Sequence, residues 1–393
     1  MISFKEALKI VLASCAATES ERVPLDCALN RILAGNIVSD VDIPPADLSA
    51  MDGFACRKAD LDKTLKVIEH IPAGSLPEKA IGPGECSRIM TGAVIPSGAE
   101  QVIMIEHAQE ENGFVRVVKV TGAANVRMKA EDVRSGTLVL TKGTRITPAV
   151  IAVLASAGCA IVNVHKRISV GIIATGNELV EPIVVPAAAQ IRNSNGYQLF
   201  AQTISCGCTP KYYGIAVDTP ESTEKMIRRA LEESDVILMS GGVSMGDYDC
   251  VPAVLEKLGV EINFDSIAMK PGKPATFGKL GKKAFFGMPG NPVSTFIIFE
   301  LFVRPYLLQC MGHTYKPLIV KASLKETISR NKTDRLEFYP VQFDESGKVT
   351  RQSYNGSAHI HSYIDAEGIV AIQKGTGQIE AGTGIEVRIL ERC

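Results

Sequence analysis

The chain has 393 residues, with 42 Lys plus Arg against 43 Asp plus Glu and a formal net charge of −1. Hydrophobic residues make up 46% and charged residues 22%, which excludes wholesale disorder. The charge balance excludes a global electrostatic grip on nucleic acid or anionic membrane, and the lack of Trp with only 6% aromatics leaves little for base-stacking platforms.

At roughly 100–200 residues per domain, the length suggests several domains. Phe4, Leu8, Val11, Leu12 and Cys15 fall on one helical face, so the N-terminus reads as an amphipathic helix. Lys5, Glu6 and Lys9 argue against a secretory signal. Between residues 21 and 133 short β-like runs (65–71, 101–105, 114–120, 125–128) are punctuated by Gly and Pro, as in a β-rich domain with long loops. Thr147-Pro148 starts a second helix that Gly158 can cap, and this helix is expected to pack with the first. Residues 1–20 and 134–166 would then form a discontinuous helical stalk, with 21–133 inserted between its halves.

From 167 to 315 apolar strand-like runs alternate with helix-like stretches, arguing a parallel sheet covered on both faces. Residues 316–393 are again β-like, with Gly-rich turns, and fit a small barrel or sandwich. His359 and His361 alternate as surface residues of a strand would. The ten cysteines are scattered, with Cys206 and Cys208 the only close pair, so reduced and mostly buried thiols are expected rather than a zinc site. No apolar run approaches the roughly 18–20 residues of a membrane span. A soluble, cytoplasmic protein is the expectation.

In an open α/β sheet ligands bind at the carboxyl ends of the strands, and the unusual loops of this sequence fall there. They are Thr175-Gly-Asn-Glu-Leu179, the Gly-rich run from Ser240 to Asp249, Lys270-Pro-Gly-Lys-Pro274 and Gly287 to Ser294. Glycines such as Gly241 and Gly242 let backbone N–H groups approach phosphate, and a following helix N-terminus favours anions. Lys270 and Lys273 can neutralise anionic oxygens, and Glu178, Asp247 and Asp249 are candidates for holding Mg²⁺. Together these loops point to a polyanion site. Neither a P-loop nor a dinucleotide fingerprint is present.

These loops, with Ser49-Ala-Met-Asp-Gly-Phe-Ala55, Arg88-Ile-Met-Thr-Gly-Ala93 and Ala130-Glu-Asp-Val133, resemble motifs of the molybdopterin molybdenumtransferases. This is the MoeA type, also seen in the gephyrin E domain. The resemblance implies a multidomain α/β architecture: a helical stalk, a β-rich insertion, an α/β parallel-sheet molybdopterin-binding domain and a C-terminal β-barrel. It implies a homodimer, with a molybdopterin adenylyltransferase as a further partner. The implied reaction takes adenylylated molybdopterin and molybdate, releases AMP and inserts molybdenum into the pterin dithiolene, with Mg²⁺ assisting. Carried over by position, Asp52, Thr91, Asp132, Glu178, Asp218 and Asp249 match functional positions. Glu178, Asp218 and Asp249 would surround the metal. Gly241, Gly242, Ser244, Lys270, Lys273, Pro289, Gly290 and Asn291 would contact substrate. Two other readings are a partner-clustering scaffold and an enzyme that adenylylates molybdopterin. Retention of the full acidic set argues against the first, and the insertion and C-terminal domain against the second.

Overall fold

The computed structural model describes residues 1–243, 251–353 and 356–390. Ser244 and Asp249 lie outside the described residues, as do Asp247 and Cys250.

Helix α1 (Phe4–Ala13) is capped by Ser3, whose side chain accepts from Glu6 N. Its apolar face does not meet the second helix, α2 (Pro148–Ser156). Phe4 packs edge-on against Phe302 and Phe338, at centroid distances of 5.3 and 5.7 Å, while Ala7 and Val11 are fully buried in the core of the α/β unit. Ile2 extends this attachment, donating to Ser266 O and accepting from Ala268 N. The stalk of two packed helices is therefore corrected: an amphipathic face fixes that a helix buries a side, not against what. Helix α2 instead packs Leu154, Val150 and Ile151 onto a small β layer in which Ser20–Pro24 pairs antiparallel with Ile161–His165.

Residues 53–117 carry a six-stranded mixed sheet. Its alternation places Phe54 and Cys56 in one apolar cluster and Ala55 in another, on opposite faces. The preceding loop is pinned by a short ladder between Leu48–Ser49 and Val126–Arg127.

The central unit contains, in chain order, β1 (Ser169–Thr175), α3 (Asn195–Ser205), β2 (Thr209–Ala216), α4 (Pro220–Glu233), β3 (Val236–Ser240), α5 (Val251–Lys257), β4 (Glu261–Ser266), β5 (Pro274–Leu280), β6 (Lys283–Met288) and α6 (Pro292–Cys310). The sheet order is β2-β1-β3-β6-β5-β4. Strands β2, β1, β3 and β6 are parallel, as their buried apolar runs suggest, but β5 is antiparallel to both neighbours. The all-parallel expectation is thus corrected to a mixed sheet. Leu280 pairs with Lys283 across the two-residue turn Gly281-Lys282, with Gly281 at φ +58°, and so tight a turn joins only antiparallel strands.

Helix α6 is long and apolar enough to cross a membrane by length and composition, yet 89% of it is buried inside the protein. It carries a π-helical segment, Phe299–Val303, and the buried pair Glu300–Arg304. Gln202 Nε2 of α3 donates to Glu300 at 2.7 Å.

The C-terminal strands pair in the order 269–270, 336–343, 368–372, 384–389, 319–323. These ladders form an open path, with one isolated bridge from Leu324 to Val349 returning toward its start. His359 and His361 are not on a strand: His359 precedes, and His361 lies in, the single turn Ile360–Tyr363. All cysteines among the described residues are free, and Cys27 alone of these is exposed.

Candidate active site

The four loops converge. Thr175, Glu178, Asp218, Gly241, Gly242, Lys270, Lys273, Pro289, Gly290 and Asn291 line one cleft of about 820 Å³ at the carboxyl ends of β1, β2, β3 and β6. The Lys270–Pro274 loop precedes its strand rather than following it. It reaches this rim because β5 runs in reverse.

Asp218 is fixed as an acceptor. Thr175 Oγ1 donates to its Oδ1 at 2.5 Å and Asn177 N to its Oδ2 at 3.0 Å, while Asp218 N donates to Asn177 Oδ1 at 3.2 Å. Glu178 folds back over Gly176, where a Cβ would sit 2.7 Å from its carboxylate. A carboxylate offers about four lone-pair directions, so Asp218 keeps acceptor capacity facing the cleft. Two carboxylates beside a phosphate-sized space suit Mg²⁺, which retains waters and takes phosphate oxygens. Among the described residues no group of three His, Cys, Asp or Glu could hold a metal.

Opposite chemistry comes from two glycine loops. Gly241 has φ +96°, and a Cβ there would lie 2.3 Å from Thr175 O, so only glycine fits. At Gly290 a Cβ would meet nothing within 4 Å. Asn195, 7% exposed, joins the two loops: its Nδ2 donates to Ser240 Oγ and to Gly290 O, each at 2.7 Å. Helix α6 begins at the cleft with Asn291 at its N-cap and no side-chain cap bond; Pro292 has no N–H and Val293 N is taken by Ser357 O, which leaves Ser294 N in its first turn.

The two lysines differ. Lys270 Nζ lies 2.6 Å from the buried Glu337, which Arg330 also approaches at 3.3 Å. Lys270 is therefore committed to that carboxylate. Lys273 is exposed and has no ion-pair partner among the described residues. Four lining residues were missed by sequence reasoning: Ile191, and Arg335, Ser357 and Ala358 from the C-terminal unit. The last three arrive because Met269–Lys270 pairs with Leu336 and Glu337, and because Val293 N donates to Ser357 O at 3.0 Å. No local motif announces them.

Asp52, Thr91 and Asp132 do not line this cleft; they are exposed on the β-rich unit. Thr91 donates to Asp52 through its N–H and its hydroxyl, which hold the Asp52 carboxyl below the usual range. Asp132 is ion-paired with Arg127, which also binds Glu131 at 2.9 Å.

Comparison with known proteins covers nearly the whole chain. Family models match as the MoeA N-terminal region (domain I and II) over residues 2–158, a probable molybdopterin binding domain over 171–309, and the MoeA C-terminal region (domain IV) over 321–390. The molybdopterin molybdenumtransferase of Bacillus subtilis (strain 168) is 36% identical, with 99% of this chain and 94% of that protein aligned. The enzyme of the same name from Staphylococcus aureus (strain COL) is 35% identical, over 99% and 96%. The crystal structure of molybdopterin biosynthesis moeA protein from Pyrococcus horikoshii OT3 superposes with a TM-score of 0.84 at 30% identity, covering 99% of this chain and all of that one.

Proposed function

The chain belongs to the MoeA family, and on that footing we propose that it is a molybdopterin molybdenumtransferase acting in molybdenum cofactor biosynthesis. The observation that carries the reading is the convergence of carboxylates, free cation and glycine loops on one cleft. Its substrates are adenylylated molybdopterin and molybdate. Molybdenum enters the dithiolene, the phosphoanhydride is cleaved, and AMP leaves.

The chain's own residues supply positioning and electrostatics. The backbone N–H groups of Gly242, Gly290 and Asn291, with that of Ser294 in the first turn of α6, receive pyrophosphate oxygens, since the Gly241 N–H is spent on Met288 O and the Val293 N–H on Ser357 O. Lys273 and Arg335 add positive charge for the pyrophosphate and for molybdate. Asp218, immobilised by Thr175 and Asn177, would hold Mg²⁺ together with Glu178, and Asp249 is the further candidate. Bound there, Mg²⁺ would neutralise charge developing on the leaving phosphate.

Asp52, Thr91 and Asp132 do not line this cleft in their own chain. We assign them to the cleft of a second copy, in a homodimer whose β-rich unit completes the partner's site. Their exposure, away from the lining of this cleft in their own chain, supports this reading. The C-terminal barrel belongs to the same proposal, supported by the Leu324–Val349 bridge.

The test is incubation with adenylylated molybdopterin, Mg²⁺ and molybdate while AMP is followed. Molybdate-dependent AMP release is expected, and its absence would overturn the assignment.

A further inference from the structure

The opposite end of the sheet carries a second cavity, of about 340 Å³, entered beside Ile168 and Val236 at the starts of β1 and β3. Its wall includes Cys310 and Tyr306 from the last turns of α6, with Lys166, Arg167 and Lys282 at the rim. The end of α1 is laid along this wall. Gln309 Nε2 donates to Leu12 O at 3.1 Å, Thr18 N to Cys310 O at 2.9 Å, and Cys15 Sγ to Tyr306 O at 3.6 Å. Cys15 Sγ thus lies against the carbonyl of Tyr306, one helical turn before Cys310, and the Thr18 bond to Cys310 O holds the residues after Cys15 on the same turn. Cys310 is 4% exposed and lines the cavity, while Cys15 is half-buried beside it.

The surroundings are unusual for buried sulfur. Lys279 Nζ donates to Tyr306 Oη at 3.2 Å and lies 5.7 Å from that ring's centroid. Hydrogen bonds from the Cys15 thiol, the Tyr306 hydroxyl and Ala16 N, with the Lys279 charge nearby, hold Cys310 below the ordinary thiol range despite its burial. Donating to Cys310 pushes Cys15 far above that range. Burial pushes two other thiols upward, Cys56 to about 11 and Cys86 to about 12.

We propose that Cys310 and Cys15 form a peroxide-oxidised thiol site, with Cys310 the attacking sulfur and Cys15 the resolving one. Cys310 Sγ attacks an oxygen of hydrogen peroxide; the O–O bond breaks, and the departing hydroxide takes up a proton to leave as water. The Cys15 sulfur then attacks the resulting sulfenyl sulfur. The S–O bond breaks, a second water leaves with the Cys15 proton, and the disulfide joins the end of α1 to the end of α6. The two thiols lose two electrons and one peroxide is reduced to two waters. Nothing in the molybdenumtransferase reading uses these residues, so the proposal stands apart from it.

The experiment treats the full-length protein with hydrogen peroxide, quenches with an alkylating agent and maps non-reduced peptides. The expected result is a Cys15–Cys310 cross-linked peptide, with loss of two hydrogens in intact mass, formed ahead of any oxidation at the buried Cys56 and Cys86. Cys15→Ser should leave a dimedone-reactive sulfenate at Cys310, and Lys279→Gln should slow cross-linking several-fold. Oxidation at exposed Cys27 without the cross-link, or cross-links mapping to other cysteines, would overturn the proposal. The wild-type map decides this even where a variant fails to fold.

Discussion

Thr91 donates twice to one oxygen of Asp52, from its backbone N–H at 2.7 Å and from its hydroxyl at 2.8 Å. The carboxylate is thereby aimed and kept ionised at the tip of the β-rich unit. Thr91→Val keeps the shape and the N–H but removes the hydroxyl. AMP release should fall by roughly one to two orders of magnitude, while unfolding free energy changes by less than about 1 kcal/mol. The sign with pH is fixed. A carboxyl depressed in the folded state does its work above its unfolded value and loses it as pH falls through the folded one. Thr91→Val relaxes the depression, so the acidic limb of the rate profile should move to higher pH. A large loss of stability with unaltered specific activity would make Thr91 a turn residue only.

Asp218→Asn replaces one acceptor oxygen with a donor, facing either Thr175 Oγ1 or Asn177 N. A stability loss of about 1–2 kcal/mol is expected. AMP release should drop far more, with partial recovery at raised Mg²⁺. Unchanged Mg²⁺ dependence would remove Asp218 from the metal.

Lys270 and Lys273 should separate under substitution. Lys270→Met strips a partner from the buried Glu337 and should cost about 1–3 kcal/mol in chemical denaturation. Lys273→Met touches no ion pair among the described residues, so stability should hold while substrate KM rises. The reverse pattern would exchange their roles.

Two glycines give a steric contrast. Gly241→Ala drives a methyl to 2.3 Å from Thr175 O at φ +96° and should cost at least about 2 kcal/mol. Gly290→Ala places its methyl in open cleft space, so the fold should survive while affinity for adenylylated molybdopterin, measured calorimetrically, falls. Full affinity in Gly290→Ala would move the ligand away from this loop.

If Asp52 and Asp218 meet across two subunits, inactive Asp52→Ala and Asp218→Ala proteins should complement. After mixed refolding, roughly a quarter of wild-type activity should return, because mixed dimers carry one intact site. No recovery, with mixed dimers confirmed by mass, would place each site within one chain.

Much of this was legible in the residues. Buried strands such as 169–175 and 236–240 read as continuous apolar runs, and the loops at their ends advertised themselves through glycine and charge. What was not legible depends on direction and partner. Residues 274–280, with Pro274 and Gly278, carry no strand signal of their own, and the tight turn at Gly281 sets them antiparallel to 283–288. The apolar face of α1 does not say which surface it will meet. Arg335 and Ser357 carry no motif at all. They reach the cleft through a ladder between Met269–Lys270 and Leu336–Glu337, a contact between residues far apart in sequence.

The core around α6 has a consequence for how the chain is made. That cluster includes Ala7 and Val11 from the first helix and Phe338, Ile369 and Leu390 from the last strands, all packed with α6 residues such as Phe299 and Phe302. Until Leu390 has left the ribosome, helix α6 lacks part of its apolar cover. Nascent chains halted after α6 should therefore be strong chaperone clients, and truncation within the final strand should send the protein to aggregates rather than merely trim a surface domain.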